Sequence, residues 1–359
     1  MNFRTRIKHI NKALTKYSRL LFVLLSVAGV LLSVFISNTD KFQYNRADTL
    51  VGSLVGGAST NGVKSLTTLK DGSERMVTIT NQWSTTTIQI NTHYNSSDYN
   101  QFNVCETNIE TTNWEATFVD DAGNTFIVDD ANNQLFYFSY DNCTPDVYNI
   151  NSLTLSDEYT AKIVVNSTNN DVYAIQDTRL IRFPSSDYET AEAYSYIDSD
   201  MYPVSLSVNN TDNLVYVLFD NGYVQEFDLA NSFSVTKYDI SSTSNCLERI
   251  IYSNNYAYMS DYCNNNIYQF DTSFNLQYTY PASGFANAMT VNDSYIYIAT
   301  DTYVAKYNIG VPASETLSDT WSDVYFMSVD TLGNDLMVFS SYYRDFYKFT
   351  LTVDSNGCT

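Results

Sequence analysis

A chain of 359 residues that is 44% hydrophobic and 15% aromatic is long enough to bury a sizeable core. Its formal charge of −21 is unevenly spread: six of the 19 basic residues lie in the first 19 positions, and all 40 acidic residues lie from Asp40 onward, leaving that part at −27. Such a balance excludes nucleic-acid and phosphate partners, whose binding rests on cationic surface. It suits a solvated acidic exterior, a bound cation or a basic partner.

Residues 1–19 hold Arg4, Arg6, Lys8, Lys12, Lys16 and Arg19 and no acid. They read as a cytoplasmic basic segment. Residues 20–36 follow as 17 apolar or small positions, Leu20–Ile36. That is the short end of a membrane-spanning helix, and positive charge on its N-terminal side keeps that side in the cytosol. The exit, Val34-Phe35-Ile36-Ser37-Asn38-Thr39, fits a small-x-small cleavage site poorly. We therefore expect an uncleaved single-pass signal anchor, with a cleaved signal peptide as the rival. Either places the rest outside the cytosol, extracellular or luminal. Residues 37–47 form a short polar neck, and residues 48–359 read as one domain.

That domain is a repeat array, and repeats decide the fold before any local reading does. Trp114–Asp141 shows the unit best: strand Thr117–Val119, turn Asp120–Asn124, strand Thr125–Val128, turn Asp129–Gln134, strand Leu135–Tyr140. Asp-Ala-Gly-Asn supplies the side chains and the free φ that a hairpin turn needs. The third strand carries an apolar residue followed three positions later by an aromatic. The pairs are Leu135/Phe138, Leu180/Phe183, Val224/Phe227, Ile267/Phe270, Val304/Tyr307 and Phe346/Phe349. Their spacing of about 40 residues suits four-stranded propeller blades. A weaker unit, Ser65–Leu69, Met76–Ile79 and Thr86–Ile90, lies upstream. Fourth strands are expected in the gaps, at Ser152–Leu155, Ala193–Ile197, Val235–Ile240 and Leu276–Tyr280. The last unit lacks room for one, so Asp48–Val55 is expected to supply it and close the ring. The fold class is therefore all-β: a β-propeller of four-stranded blades, seven rather than six, preceded by an N-terminal transmembrane helix.

Five cysteines lie beyond the anchor, in an oxidising compartment if the topology holds. Cys246 and Cys263 flank one hairpin, and Cys105 and Cys143 bracket one repeat. We pair them in that way, leaving Cys358 free or intermolecular. Glycosylation sequons stand at Asn95, Asn142, Asn166, Asn209 and Asn292, several of them in expected turns.

Candidate chemistry is sparse. Asp129, Asp177, Asp220, Asp261 and Asp301 each follow a second strand, on one face of a propeller. They could ring the channel mouth and hold a hard cation such as calcium, or each could cap its own hairpin. Tyrosine is abundant, with 31 copies. The period-2 run of Tyr256, Tyr258, Tyr295 and Tyr297 suggests blade packing, while exposed tyrosines could stack on sugars or anchor a protein. His93 is the one histidine beyond the N-terminal segment, and we expect it in a polar surface stretch. No G-x-S-x-G, H-E-x-x-H or phosphate loop occurs.

The pattern D-x-x-G-N-x-(β)-x-x-D-x-x-N-N-x-(β)-x-x-F of Trp114–Asp141 resembles an NHL-type repeat, and Leu247–Asp271, ending SDYCNNNIYQFD, resembles it too. The resemblance implies a propeller of the broad group that includes regucalcin/gluconolactonase-like and strictosidine-synthase-like proteins. Many NHL propellers are binding platforms. The related enzymes use a metal or a few acids at the channel mouth. Two functional classes follow as expectations. One is a non-catalytic scaffold binding a protein or glycan. The other is a divalent-cation-dependent hydrolase of the lactonase type.

Overall fold

In the computed structural model the chain divides into two compact units, Met1–Asn45 and Arg46–Thr359. Side chains are described over residues 116–120, 122–155, 160, 162–197, 202–300, 303–314 and 336, and the remaining strands named below are described by their backbone. No described helix is long and apolar enough to cross a membrane. The expected anchor, Leu20–Ile36, lies outside the described residues, as does Asp48–Val55.

Seven four-stranded antiparallel sheets make up the described fold. Blade 1 takes Thr60–Thr68, Glu74–Gln82, Thr85–His93 and Phe102–Asn108. Blade 2 takes Thr117–Val119, Thr125–Asp129, Gln134–Phe138 and Asp146–Asn149. Blade 3 takes Thr160–Val165, Val172–Gln176, Arg179–Phe183 and Glu192–Ser195. Blade 4 takes Pro203–Asn209, Leu214–Phe219, Tyr223–Asp228 and Ser234–Asp239. Blade 5 takes Leu247–Ser253, Tyr256–Asp261, Asn266–Phe270 and Leu276–Pro281. Blade 6 takes Ala288–Val291, Tyr295–Ala299, Val304–Asn308 and Ser314–Ser318. Blade 7 takes Val324–Val329, Asp335–Ser340 and Asp345–Thr350. Its fourth strand is Asn45–Arg46, at the edge beside Asp345–Thr350.

The first strand of each blade touches the first strand of the next, and that of blade 7 touches that of blade 1. The seven sheets therefore form a closed β-propeller. Closure comes from the N-terminal side of the domain, as expected, with Asn45–Arg46 at the edge of blade 7.

The aromatic register mark has a simple physical origin. Successive residues of a strand point to opposite sheet faces, so positions three apart face opposite ways. Phe183 packs in the core between blades 2 and 3, and Leu180 in the core between blades 3 and 4. Phe227 and Val224 divide in the same way between the next two cores, as do Phe270 and Ile267. All six side chains are at most 1% exposed. Blades 3, 4 and 5 thus each place one large ring against the blade before and one aliphatic group against the blade after. Burying a phenylalanine contributes about 1.5–3 kcal/mol, so this motif cements the seams from blade 2 to blade 6.

One expected strand moves. Ser152–Leu155 is not the outer strand of blade 2, which is Asp146–Asn149. Side chains satisfy the backbone of 152–155 instead. Asn133 Nδ2 donates to the Leu153 carbonyl at 3.1 Å, and the Leu155 amide donates to Asn133 Oδ1 at 2.7 Å. Arg179 donates to the Thr154 carbonyl at 2.7 Å, and Gln176 to that of Leu155 at 2.9 Å. His93 does not follow its blade but ends the third strand of blade 1, opposite Glu74 and Phe102.

Candidate functional site

The turns between second and third strands and the connections between blades share one end of the propeller, here called the upper face. Of the five aspartates singled out above, Asp129, Asp177, Asp220 and Asp261 stand at or next to its turns between second and third strands. Asp129 is fully buried, with Oδ1 accepting the Asn132 amide at 3.3 Å and Oδ2 accepting Asn132 Nδ2 at 2.7 Å. Asp261 repeats this arrangement. It accepts the amides of Cys263 and Asn264 at 2.8 and 3.1 Å, Asn264 Nδ2 at 2.7 Å and the Tyr268 hydroxyl at 3.1 Å. Burial pushes its carboxyl up, but the bonds from Asn264, Ser244 and Cys263 prevail and hold it below the usual carboxylate range. Asp177 and Asp220 are exposed, and Asp301 lies outside the described residues. No group of three or more Asp, Glu, His or Cys that could hold a metal forms among the described residues. The expected carboxylate ring is therefore not assembled there. Asp129 and Asp261 spend their oxygens on their own hairpins, because an Asp that opens a turn finds amide donors within three residues.

Cys246 and Cys263 are disulfide-bonded with their Cα atoms 5.7 Å apart. Cys143 is also disulfide-bonded, and its expected partner, Cys105, stands on the outer strand of blade 1 opposite Ile90. The first bridge ties the connection entering blade 5 to the turn that carries Tyr262, and the Tyr262 amide donates to the Cys246 carbonyl at 3.2 Å. Tyr262 is thereby held 54% exposed on the upper face, edge-on to Phe285 of the next connection with ring centroids 6.2 Å apart. Tyr202, 65% exposed, and Ile197, 52% exposed, belong to the connection between blades 3 and 4 on the same face.

Below Tyr262 the inner strand of blade 5 is bulged. Leu247 pairs with Asp261 and Arg249 with Ser260, so Glu248 is the extra residue. A bulge re-aims side chains locally. Arg249 and Ser260 lie opposite one another, two residues from the opposed pair Ile251 and Tyr258. Both of the latter pack in the core between blades 5 and 6, so the Arg249–Ser260 pair faces blade 6.

Four enclosed polar atoms here lack a hydrogen-bond partner: Glu248 Oε2, Arg249 Nε, Tyr258 Oη and Ser260 Oγ. Tyr258 and Ser260 are fully buried, while Glu248 and Arg249 keep part of their surface open. Burial pulls Arg249 below its usual value, with the adjacent Glu248 carboxylate working the other way. Unsatisfied buried groups are few in folded proteins, and each asks for a ligand, a water or a function. None of these four was singled out from sequence for chemistry. The available signal was a charged pair opening a strand that is otherwise largely apolar.

Tyrosine packing is as expected in the main: Tyr173, Tyr216, Tyr258, Tyr280, Tyr297 and Tyr307 are all but fully buried. Among the sequons, Asn142 is exposed and Asn292 half-buried, while Asn95 lies outside the described residues. Asn166 and Asn209 are buried, and their amide nitrogens face Asn213 at 3.4 Å and Asp212 at 2.8 Å. Both act as turn locks with no room for a glycan on that nitrogen.

No family model matches this chain, and no curated protein matches it in sequence. Solved structures do match in shape. Virginiamycin B lyase from Staphylococcus aureus superposes with a TM-score of 0.63 at 14% identity, over 81% of this chain and 95% of the lyase. A catalytically inactive variant of that lyase with quinupristin gives 0.64 at 13% identity, over 83% and 97%. A streptogramin B lyase structure gives 0.63 at 14% identity, over 82% and 94%. In all, 1336 chains match in shape, so the likeness fixes architecture and leaves activity open. The chain is a β-propeller, similar in fold to these lyases.

Proposed function

We propose that this protein is a membrane-anchored, extracytoplasmic β-propeller that binds a protein or glycan partner without catalysis, through its upper face. The observation that carries the reading is the row of Ile197, Tyr202 and Tyr262, exposed on one face and, at Tyr262, fixed by a disulfide. Rigid aromatics on a pre-organised surface are what recognition uses. The basic segment followed by 17 apolar residues supports the anchor, and the Cys246–Cys263 bridge supports an oxidising compartment.

The alternative, a cation-dependent hydrolase, draws less support. Two of its five candidate carboxylates are committed to hairpins. A lyase-type activity draws little either. A histidine-to-alanine variant of the S. aureus lyase is catalytically inactive. Here the one histidine of the propeller, His93, ends a strand at the opposite face.

The test displays the whole protein against arrays of glycans and of extracellular proteins. Binding should be lost in Tyr202→Ala/Tyr262→Ala and kept in Tyr278→Ala, which removes an exposed tyrosine of the outer strand of blade 5. Equal loss in both variants, or turnover of a lactone or of quinupristin by the wild type, would sink the reading.

A further inference from the structure

We infer that the seam between blades 5 and 6 at the upper face is a subsite for a neutral sugar, with the partly open Glu248 and Arg249 taking its hydroxyl groups and Tyr262 and Phe285 taking its apolar side. The inference rests on the binding-module reading above and names its ligand class.

The polar requirement comes from the cluster itself. Glu248 can only accept hydrogen bonds and Arg249 can only donate, while Ser260 lies fully buried opposite Arg249. A group that satisfies the set must donate and accept at neighbouring atoms. Vicinal hydroxyls do this, since each oxygen accepts from the guanidinium while its proton goes to the carboxylate. A simple anion would meet Arg249 but be repelled by Glu248, which stands beside it on the bulge. The domain's charge of −27 also opposes an anion from a distance. A cation would suit Glu248 and be repelled by Arg249. Among the described residues neither side chain forms an ion pair that would remove it from the choice, and Arg249 Nε and Glu248 Oε2 are both unsatisfied there.

The apolar requirement comes from the rim. Tyr262 belongs to the turn between the second and third strands of blade 5 and Phe285 to the connection into blade 6, and their rings meet edge to face. An aromatic face suits the C–H side of a pyranose, leaving its hydroxyl edge for the polar groups below. The Cys246–Cys263 bridge joins the two segments that carry Glu248 and Tyr262. The polar and aromatic halves are thus fixed relative to each other before any ligand arrives, which lowers the ordering cost of binding.

The experiment is calorimetric titration of the full-length protein with methyl glycosides of glucose, galactose, mannose and N-acetylglucosamine. Acetate, glucuronic acid and N-acetylglutamine amide serve as controls. At least one neutral glycoside should bind saturably. Its affinity should fall about tenfold or more in Glu248→Gln and in Tyr262→Ala, and stay unchanged in Tyr278→Ala. Glu248→Gln keeps shape and size, and Tyr262 is exposed, so neither variant depends on refolding the core. The inference is overturned if no neutral glycoside binds, if binding ignores Glu248→Gln, or if acetate, glucuronic acid or the amide binds in place of the glycosides. Array binding that depends on Tyr202 and survives Glu248→Gln would leave the binding-module reading standing while removing this subsite.

Discussion

Replacing Asp261 with alanine separates the hairpin-lock account of the upper-face aspartates from the cation-ring account. The wild-type carboxylate is 1% exposed and accepts two backbone amides, the Asn264 side chain and the Tyr268 hydroxyl. Alanine orphans the Cys263 and Asn264 amides at roughly 1–1.5 kcal/mol each and adds the loss of charge-assisted bonds, so the cost is about 3 kcal/mol. An unfolding entropy of about 2.1 cal/mol/K per residue gives on the order of 0.66 kcal/mol/K for the unit Arg46–Thr359. The melting temperature should therefore fall by about 5 °C. Near-ultraviolet circular dichroism, rich in tyrosine signal, reads the transition. Asp220→Ala, at an exposed turn, should move it by less than about 1 °C. Two outcomes would refute the reasoning: equal shifts for the two variants, or a calcium-dependent rise in wild-type melting that Asp261→Ala abolishes. The pH dependence has a definite sign. The folded-state value of Asp261 is lowered, so its contribution is fully present above the unfolded carboxylate value, about 3.9, and is lost as pH falls through the lower folded value. Wild type and Asp261→Asn should converge in stability only under strong acid.

Four further outcomes follow from the same structure. Gly222→Ala should cost about 3 kcal/mol, because Gly222 has φ +80° and an added Cβ would lie 2.4 Å from the Ser244 carbonyl oxygen and 2.7 Å from Ser241 Cα. Gly284→Ala, whose Cβ would meet Thr300 at an ordinary 3.5 Å, should change stability by no more than about 0.5 kcal/mol in chemical denaturation. Breaking Cys246–Cys263 as a double serine variant opens a loop with a sequence separation of 17 and should cost about 3 kcal/mol by loop entropy, read as a lower urea midpoint at unchanged slope. Arg182→Lys should cost about 1–2 kcal/mol, since one ammonium cannot reproduce the Nε and Nη2 contacts to Asp171 at 2.9 and 2.7 Å together with the Nη1 bond to Glu192 at 3.0 Å; a neutral result in the same urea titration would contradict the forked geometry.

The sequence by itself determined the repeat, its period, and the inner three strands of each blade. These are local facts. A hairpin is specified by an Asp and a Gly or Asn a few residues apart, and Leu135/Phe138 and its counterparts read as core because an odd spacing must serve two faces. The ring's closure from the N-terminal side was legible too, since a closed sheet needs a fourth strand and the last repeat lacked one. Which residues supply it was not: Asn45–Arg46 stands at that edge, and Ser152–Leu155 was drawn out of strand geometry by Asn133, Gln176 and Arg179, residues up to 25 positions away. The candidate site divides along the same line. The aspartates were visible because they recur in sequence. Their roles were settled by whether amides or solvent surrounded each carboxylate. Glu248, Arg249 and Ser260 carry no motif. They come together only because a bulge sets Glu248 beside Arg249, opposite Ser260 across a strand pair, and a second blade covers the face of that pair. Burial of charge is a property of the neighbouring blade, and no single blade's sequence contains it.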